Sequence, residues 1–193
     1  MHNDGVNDPQ DKRMTLSTVS SLTIRPCEEA DIPAIAEIYR DAVLHGRASF
    51  EIDPPSAGTM LERRRLLVEG NYPYLVAECD GKIAGYAYAG AYRPRPAYGA
   101  AVENSVYIDP GMKGMGIGRK LLEALIEAAT AGGFRQMIAV IGDSANAASI
   151  GVHRAAGFEH VGTFKSIGWK HGQWLDTVLM QRALGEGDTT PRF

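Results

Sequence analysis

The segment MKGMGIGRKLL (112–122) sets Gly114, Gly116 and Gly118 at alternate positions directly before an amphipathic helical pattern. Glycine is a poor helix former, so three at a helix start read as clearance for something that approaches the backbone. Bare glycine lets main-chain N–H groups point at phosphate oxygens, and a helix N-terminus adds roughly 0.3–1 kcal/mol of attraction for an anion. Two nucleotide-binding loops fail on spacing. GxxxxGK[ST] needs a Lys-Ser/Thr pair that does not follow here, and GxGxxG puts its third glycine at Arg119 or Leu121. A turn for another phosphate ligand remains, as does a glycine-rich turn with no ligand. Upstream, Glu103 stands among Ala101, Val102 and Val106, an apolar setting that raises a carboxylate's pKa and improves it as a base. The alternative for Glu103 is a solvated strand face. Arg93 and Arg95 in YRPRPAY carry guanidinium forks suited to carboxylates, or else belong to an exposed loop. No histidine pair has HxxxH or HExxH spacing, which argues against a metal site.

These residues must be held by a chain of 193 residues with formal charge -3. A chain of this size buries roughly 70% of its unfolded surface, so it needs no disulfide or metal staple. The near-neutral charge gives no electrostatic reason to expect nucleic acid or an anionic membrane as partner. Cys27 and Cys79 lack CxxC spacing and read as reduced thiols of a cytoplasmic protein. The polar N-terminus lacks a signal-peptide core, and no stretch approaches about 18 apolar residues. One domain is expected over 21–184, between flexible tails at 1–20 and 185–193.

Periodicity supplies the elements. SLTIRP (21–26) alternates as a strand. A helix begins after Asp31, read as its cap, and places Ile32, Ile35, Ile38, Tyr39 and Val43 on one face. A second helix fits 58–70. Two strands flank Asp80-Gly81, a hairpin signal, and VENSVYIDP (102–110) is a further strand. The glycine segment opens a helix with an apolar stripe from Ile117 to Ala129. RQMIAVIG (135–142) reads as a buried strand, and 144–157 as a helix capped by Asp143 or Ser144. Two last strands meet at Lys170-His171-Gly172. The order βαα-βββ-αβαββ is a mixed α/β pattern, with strand–helix–strand at 104–141 requiring one parallel pairing.

The strand–KGMGIG–helix unit resembles the pyrophosphate-binding turn of the GCN5-related N-acetyltransferases (GNAT), whose usual Gln or Arg at its first position is Lys113 here. NAASIGVHRAAGF (146–158) is similar to that superfamily's second cofactor segment, with His153 where most members carry tyrosine. ASFE, YAGAYRPRPAY, VENSVYI, AVIG, VHRAAGF and GWKHGQWLD together resemble the phosphinothricin / methionine sulfoximine N-acetyltransferase branch, over about residues 22–182.

The resemblance implies a GNAT fold: a mixed, mostly antiparallel sheet of about seven strands flanked by about four helices, splayed between strands 4 and 5. It implies acetyl-CoA as co-substrate, no metal, a small-molecule amine as acceptor and a homodimer. The cofactor would lie along Val106, Tyr107 and Ile108 and the turn residues Lys113, Gly114, Met115, Gly116, Ile117, Gly118 and Arg119, with Asn146 and Ser149 on its pantetheine arm. Glu103 would be the general base. His153 would donate a proton to the leaving thiolate or hydrogen-bond the reacting centre, or else hold the helix. The acceptor would meet Phe50, Arg93, Arg95, Tyr98, Glu103, Ser105, Tyr107, Val140 and Gly142. Alternation puts Glu103, Ser105 and Tyr107 on one face unless a bulge intervenes, and the expected splay calls for one. A peptide, lysine or polyamine acceptor, or a non-catalytic acyl-CoA-binding module, are the competing readings.

Overall fold

The computed structural model describes residues 21–191, so the expected tail at 1–20 lies outside the described residues. Seven strands form one sheet in the order β1-β2-β3-β4-β5-β7-β6. They are β1 (Leu22–Pro26), β2 (Tyr74–Cys79), β3 (Lys82–Ala91), β4 (Ala101–Ile108), β5 (Gln136–Gly142), β6 (Glu159–Lys170) and β7 (Gln173–Ala183). The helices are α1 (Ile32–His45), α2 (Ala57–Glu69), α3 (Ile117–Ala131) and α4 (Ala147–Ala155).

Alternation along the strands divides the core in two. On one face the α3 stripe of Leu121, Leu122, Leu125 and Ala129 packs on Ala87, Ala89, Val102 and Met137. The other face carries Tyr74, Val76 and Tyr86 beneath α1 and the buried Met60 of α2. Small strand residues under α3 let that helix sit close, and tyrosines fill the wider gap on the α1/α2 side. Asp80 and Gly81 both take positive φ (49° and 78°), as the tight β2–β3 turn requires. His171 and Gly172 repeat this between β6 and β7.

All neighbouring strands are antiparallel except β4 and β5. Their parallel ladder runs only from Ala101 to Asn104 against Gln136 to Ala139, and beyond it the strands part. The splay is therefore present, but the expected bulge in β4 is not. The β3–β4 register is unbroken from Gly85↔Ile108 to Ala91↔Val102. Bulges lie instead in β2–β3 at Ala77/Glu78 and in β6–β7 at His160/Gly162 and Phe164/Gly168.

Two local expectations are corrected. Asp31 precedes α1, yet its carboxylate turns away from that helix to bond Arg25 at 2.8 Å and the Glu28 N–H. The cap of α4 is Asn146, whose side chain accepts from the Ser149 N–H. Asp143, at φ 69°, binds Arg47 and the Ala145 N–H instead. Beyond Gly185 the chain returns to the start of β5. Glu186 pairs with Arg135 at 3.0 Å, and Thr190 joins them.

Candidate active site

At the open end of the β4–β5 split lies a groove of about 670 Å³. Its floor is Val106, Tyr107 and Ile108 of β4, free of a β5 partner. One end is formed by Lys113, Gly114, Gly116, Ile117, Gly118 and Arg119; the other by Asn146, Ser149, Val152 and His153 of α4. Gly114 and Gly116 take φ of 81° and 79°, and nothing lies within 4 Å of where a side chain would begin on either. Left-handed backbone with open space above it is what only glycine supplies cheaply. Gly116 is also the residue at which α3 starts, so the first N–H groups of α3 have no intrahelical acceptor and face this end. The donor-rich end suits a diphosphate and the bare strand edge suits an amide-bearing arm, so the residues present fit coenzyme A.

Twelve positions were read from the sequence as cofactor contacts, and all but Met115 line this groove. Met115 is exposed beside it. Arg119 lines the wall while bonded to Glu123 at 2.7 Å. Unforeseen lining comes from Asp41 and His45 of α1 and from Ala48 in the following loop.

A smaller cavity of about 50 Å³ continues into the split. Ser105, Tyr107, Val140 and Gly142 reach it together with Asn104, Asn146, Ser149 and His153. Tyr107 is mostly committed to the core, edge-on to Tyr39 and stacked on Tyr86 at 5.2 Å. Glu103 lies across Gly90 on β3 and Ile138 on β5, outside both cavity walls. Burial pushes its carboxyl above the ordinary value, and the charge of Arg93 pulls it back.

The acceptor residues are less tightly gathered. Arg93 sits 4.5 Å over the Tyr92 ring, and Tyr98 meets Tyr92 edge-on. Arg93, Arg95 and Tyr98 are exposed, and of the two arginines only Arg93 acts on Glu103. Phe50 presses on Gly168, where any side chain would strike its ring. The loop bearing Phe50 is clamped by residues the sequence reading placed in a turn or a cap and not at the site. Buried Lys170 donates to the Ser49 carbonyl at 2.6 Å, His171 donates to Gly46 O, and Arg47 pairs with Asp143.

His153 is buried on α4, 2.8 Å from Ser149 O through Nδ1 and 3.0 Å from Asn104 Oδ1 through Nε2. Burial lowers its pKa and the Ser149 carbonyl opposes that. Among the described residues no cluster of His, Cys, Asp or Glu could hold a metal ion. No helix there is long and apolar enough to cross a membrane.

A strand pair opened over a glycine-lined helix start is the arrangement of an acyl-CoA transferase, and the chain belongs to the GNAT acetyltransferase family, whose domain it matches over residues 24–179. It is thus an N-acetyltransferase that uses acetyl-CoA. Within the family it is similar to the phosphinothricin N-acetyltransferase of Alcaligenes faecalis, 52% identical over 170 residues, covering 88% of this chain and 86% of the relative. The L-methionine sulfoximine/L-methionine sulfone acetyltransferase of Pseudomonas paraeruginosa is 40% identical over 172 residues, covering 89% and 99%. The crystal structure of a phosphinothricin acetyltransferase from Sinorhizobium meliloti with acetyl-CoA superposes with a TM-score of 0.86 at 50% identity, covering 88% of this chain and 92% of that one.

Proposed function

We propose that the chain acetylates the α-amine of a small amino-acid-like substrate of the phosphinothricin, methionine sulfoximine or methionine sulfone type, with Glu103 as general base. The observation that carries this is the Glu103 carboxylate. It is half-buried, raised in pKa by burial, one residue before the β4–β5 ladder ends, and under the charge of Arg93. Acetyl-CoA supplies the acyl thioester when bound. The incoming amine is an ammonium at neutral pH, and Glu103, directly or through a water, is the group to take its proton. Each unit by which the carboxylate's pKa rises toward the amine's narrows that transfer by about 1.4 kcal/mol. The open edge of β4 holds the thioester end in place, and such positioning is worth about 7–11 kcal/mol when the geometry is tight.

His153 lines the groove, but its lowered pKa leaves the ring neutral near pH 7. That supports a hydrogen-bonding part over proton donation. Phosphinothricin, methionine sulfoximine and methionine sulfone, for which these two relatives are named, carry anionic groups that agree with an arginine near Glu103. A homodimer is supported by five exposed apolar side chains on the outer hairpin: Val161, Phe164, Ile167, Trp169 and Trp174. Buried free thiols at Cys27 and Cys79 agree with the cytoplasm.

The test follows thiol release from acetyl-CoA with methionine sulfone, methionine sulfoximine, phosphinothricin, polyamines and peptides. Glu103→Gln is expected to cut kcat/KM by about 100-fold or more for the preferred amine with folding intact. Unchanged turnover removes Glu103 as base. Acetyl-CoA binding with no amine-dependent release moves the reading to an acyl-CoA-binding module.

A further inference from the structure

The β4–β5 ladder stops at Asn104, and the buried side chain there takes over where the main chain leaves off. Its Nδ2 donates to Ile138 O on β5 at 3.1 Å, and its Oδ1 faces Nε2 of His153 on α4 at 3.0 Å. One amide thus ties β4, β5 and α4 together at the mouth of the split. Its orientation is fixed by chemistry. Turning the amide over would set Oδ1 against the Ile138 carbonyl, two acceptors in a buried place. With Nδ2 committed to Ile138, Oδ1 requires a donor, so Nε2 of His153 carries a hydrogen. The other ring nitrogen has two neighbours of opposite use. The Ser149 carbonyl at 2.8 Å accepts from Nδ1 when both ring nitrogens are protonated; a bare Nδ1 would face that acceptor, so the neutral ring has to turn toward the Ser149 hydroxyl, now at 3.4 Å.

We propose that Asn104 is a positioning residue that pins the point where β4 leaves β5 and keeps the hydrogen on Nε2 of His153, so that Nδ1, beside Ser149 on the groove wall, is the ring atom that gains and loses a proton. The ring's hydrogen-bond and aromatic contacts are with uncharged groups: Asn104, Ser149 and Phe158. The other titratable side chains that share the groove are Asp41, His45, Tyr107, Lys113 and Arg119. The proposal rests on acetyl-CoA using the groove and not on which amine is acetylated.

Nitrogen NMR of the full chain labelled with ¹⁵N-histidine tests it directly, with the His153 signals assigned by their loss in His153→Asn. At pH 8 the wild-type ring is expected as the Nε2–H tautomer, with Nδ1 the nitrogen that moves on acidification. An Nδ1–H tautomer at pH 8 overturns the proposal without recourse to an Asn104 variant. Asn104→Ala is expected to shift His153 toward Nδ1–H and to lower kcat about 10- to 100-fold, as a small misplacement of reacting groups does, while the acceptor KM holds. Asn104→Asp keeps the acceptor for Nε2–H, so it should restore the tautomer but not the tie to Ile138 O. An unaltered tautomer in Asn104→Ala, or wild-type kcat in that variant, also overturns the assignment.

Discussion

At Glu103, proposed above as the base, two opposed influences act: burial raises the carboxyl pKa and Arg93 lowers it. Arg93→Met removes the lowering influence, so the acidic limb of kcat/KM should move to higher pH. A pH–rate profile reads this, and an unmoved limb would separate Arg93 from the base. His153 gives the complementary case in stability. Its folded pKa lies below the usual 6.5, so on acidification the unfolded chain binds the proton first. Its contribution is complete above about pH 6.5 and falls away as pH drops toward the folded value. Urea unfolding between pH 8 and 5 should show that slope, flattened in His153→Asn. Glu103, the glycines and His153 could be singled out in the sequence because each belongs to a local motif, though the parts of Glu103 and His153 are proposals. Asn104 was not, since nothing in VENSVYI says which residue ends the ladder or that its amide meets a carbonyl 34 positions on. Lys170 sits in a turn-forming string and reads as exposed, yet it is buried against Ser49 O, with its pKa pressed down by that burial.

Elements and their order followed from periodicity, because the α3 stripe and the strand alternation record one buried face each. Irregularity was harder to place. The bulge expected in β4 lies in β6, where Ser166 takes φ 49° and Asp176 of β7 gathers the Ser166 N–H, the Ser144 hydroxyl and Lys165. Those three donors hold the Asp176 carboxyl down at about 2. Long-range partners decide a bulge, and they leave no local mark. Its consequence reaches the site, since Gly168 just past the shift receives the Phe50 ring. Gly168→Ala should push Phe50 aside and raise the acceptor KM while leaving the acetyl-CoA KM unchanged; initial-rate kinetics with both substrates varied distinguishes the two. At the start of α4, Asn146→Ala loses the cap to Ser149 N, with an expected cost of about 1 kcal/mol by chemical denaturation.

For the molecule as a whole, the outer hairpin presents Trp169 and Trp174 edge-on to each other, both more than half exposed. Replacing both with lysine should give a monomer by analytical ultracentrifugation if that face joins two copies, and no change in mass if it does not. The sheet order carries a separate consequence. β7 is the last strand in the chain, yet it stands between β5 and β6. Everything that lines the large groove at the β4–β5 split precedes Ala155, whereas the clamps on the Phe50 loop, Lys170 and His171, lie on the final hairpin. A ribosome therefore releases the groove's parts before the strand that joins β6 to the sheet. Phe50 itself emerges early, but the hairpin that clamps its loop is secured only when β7, made last, joins β6 to the sheet.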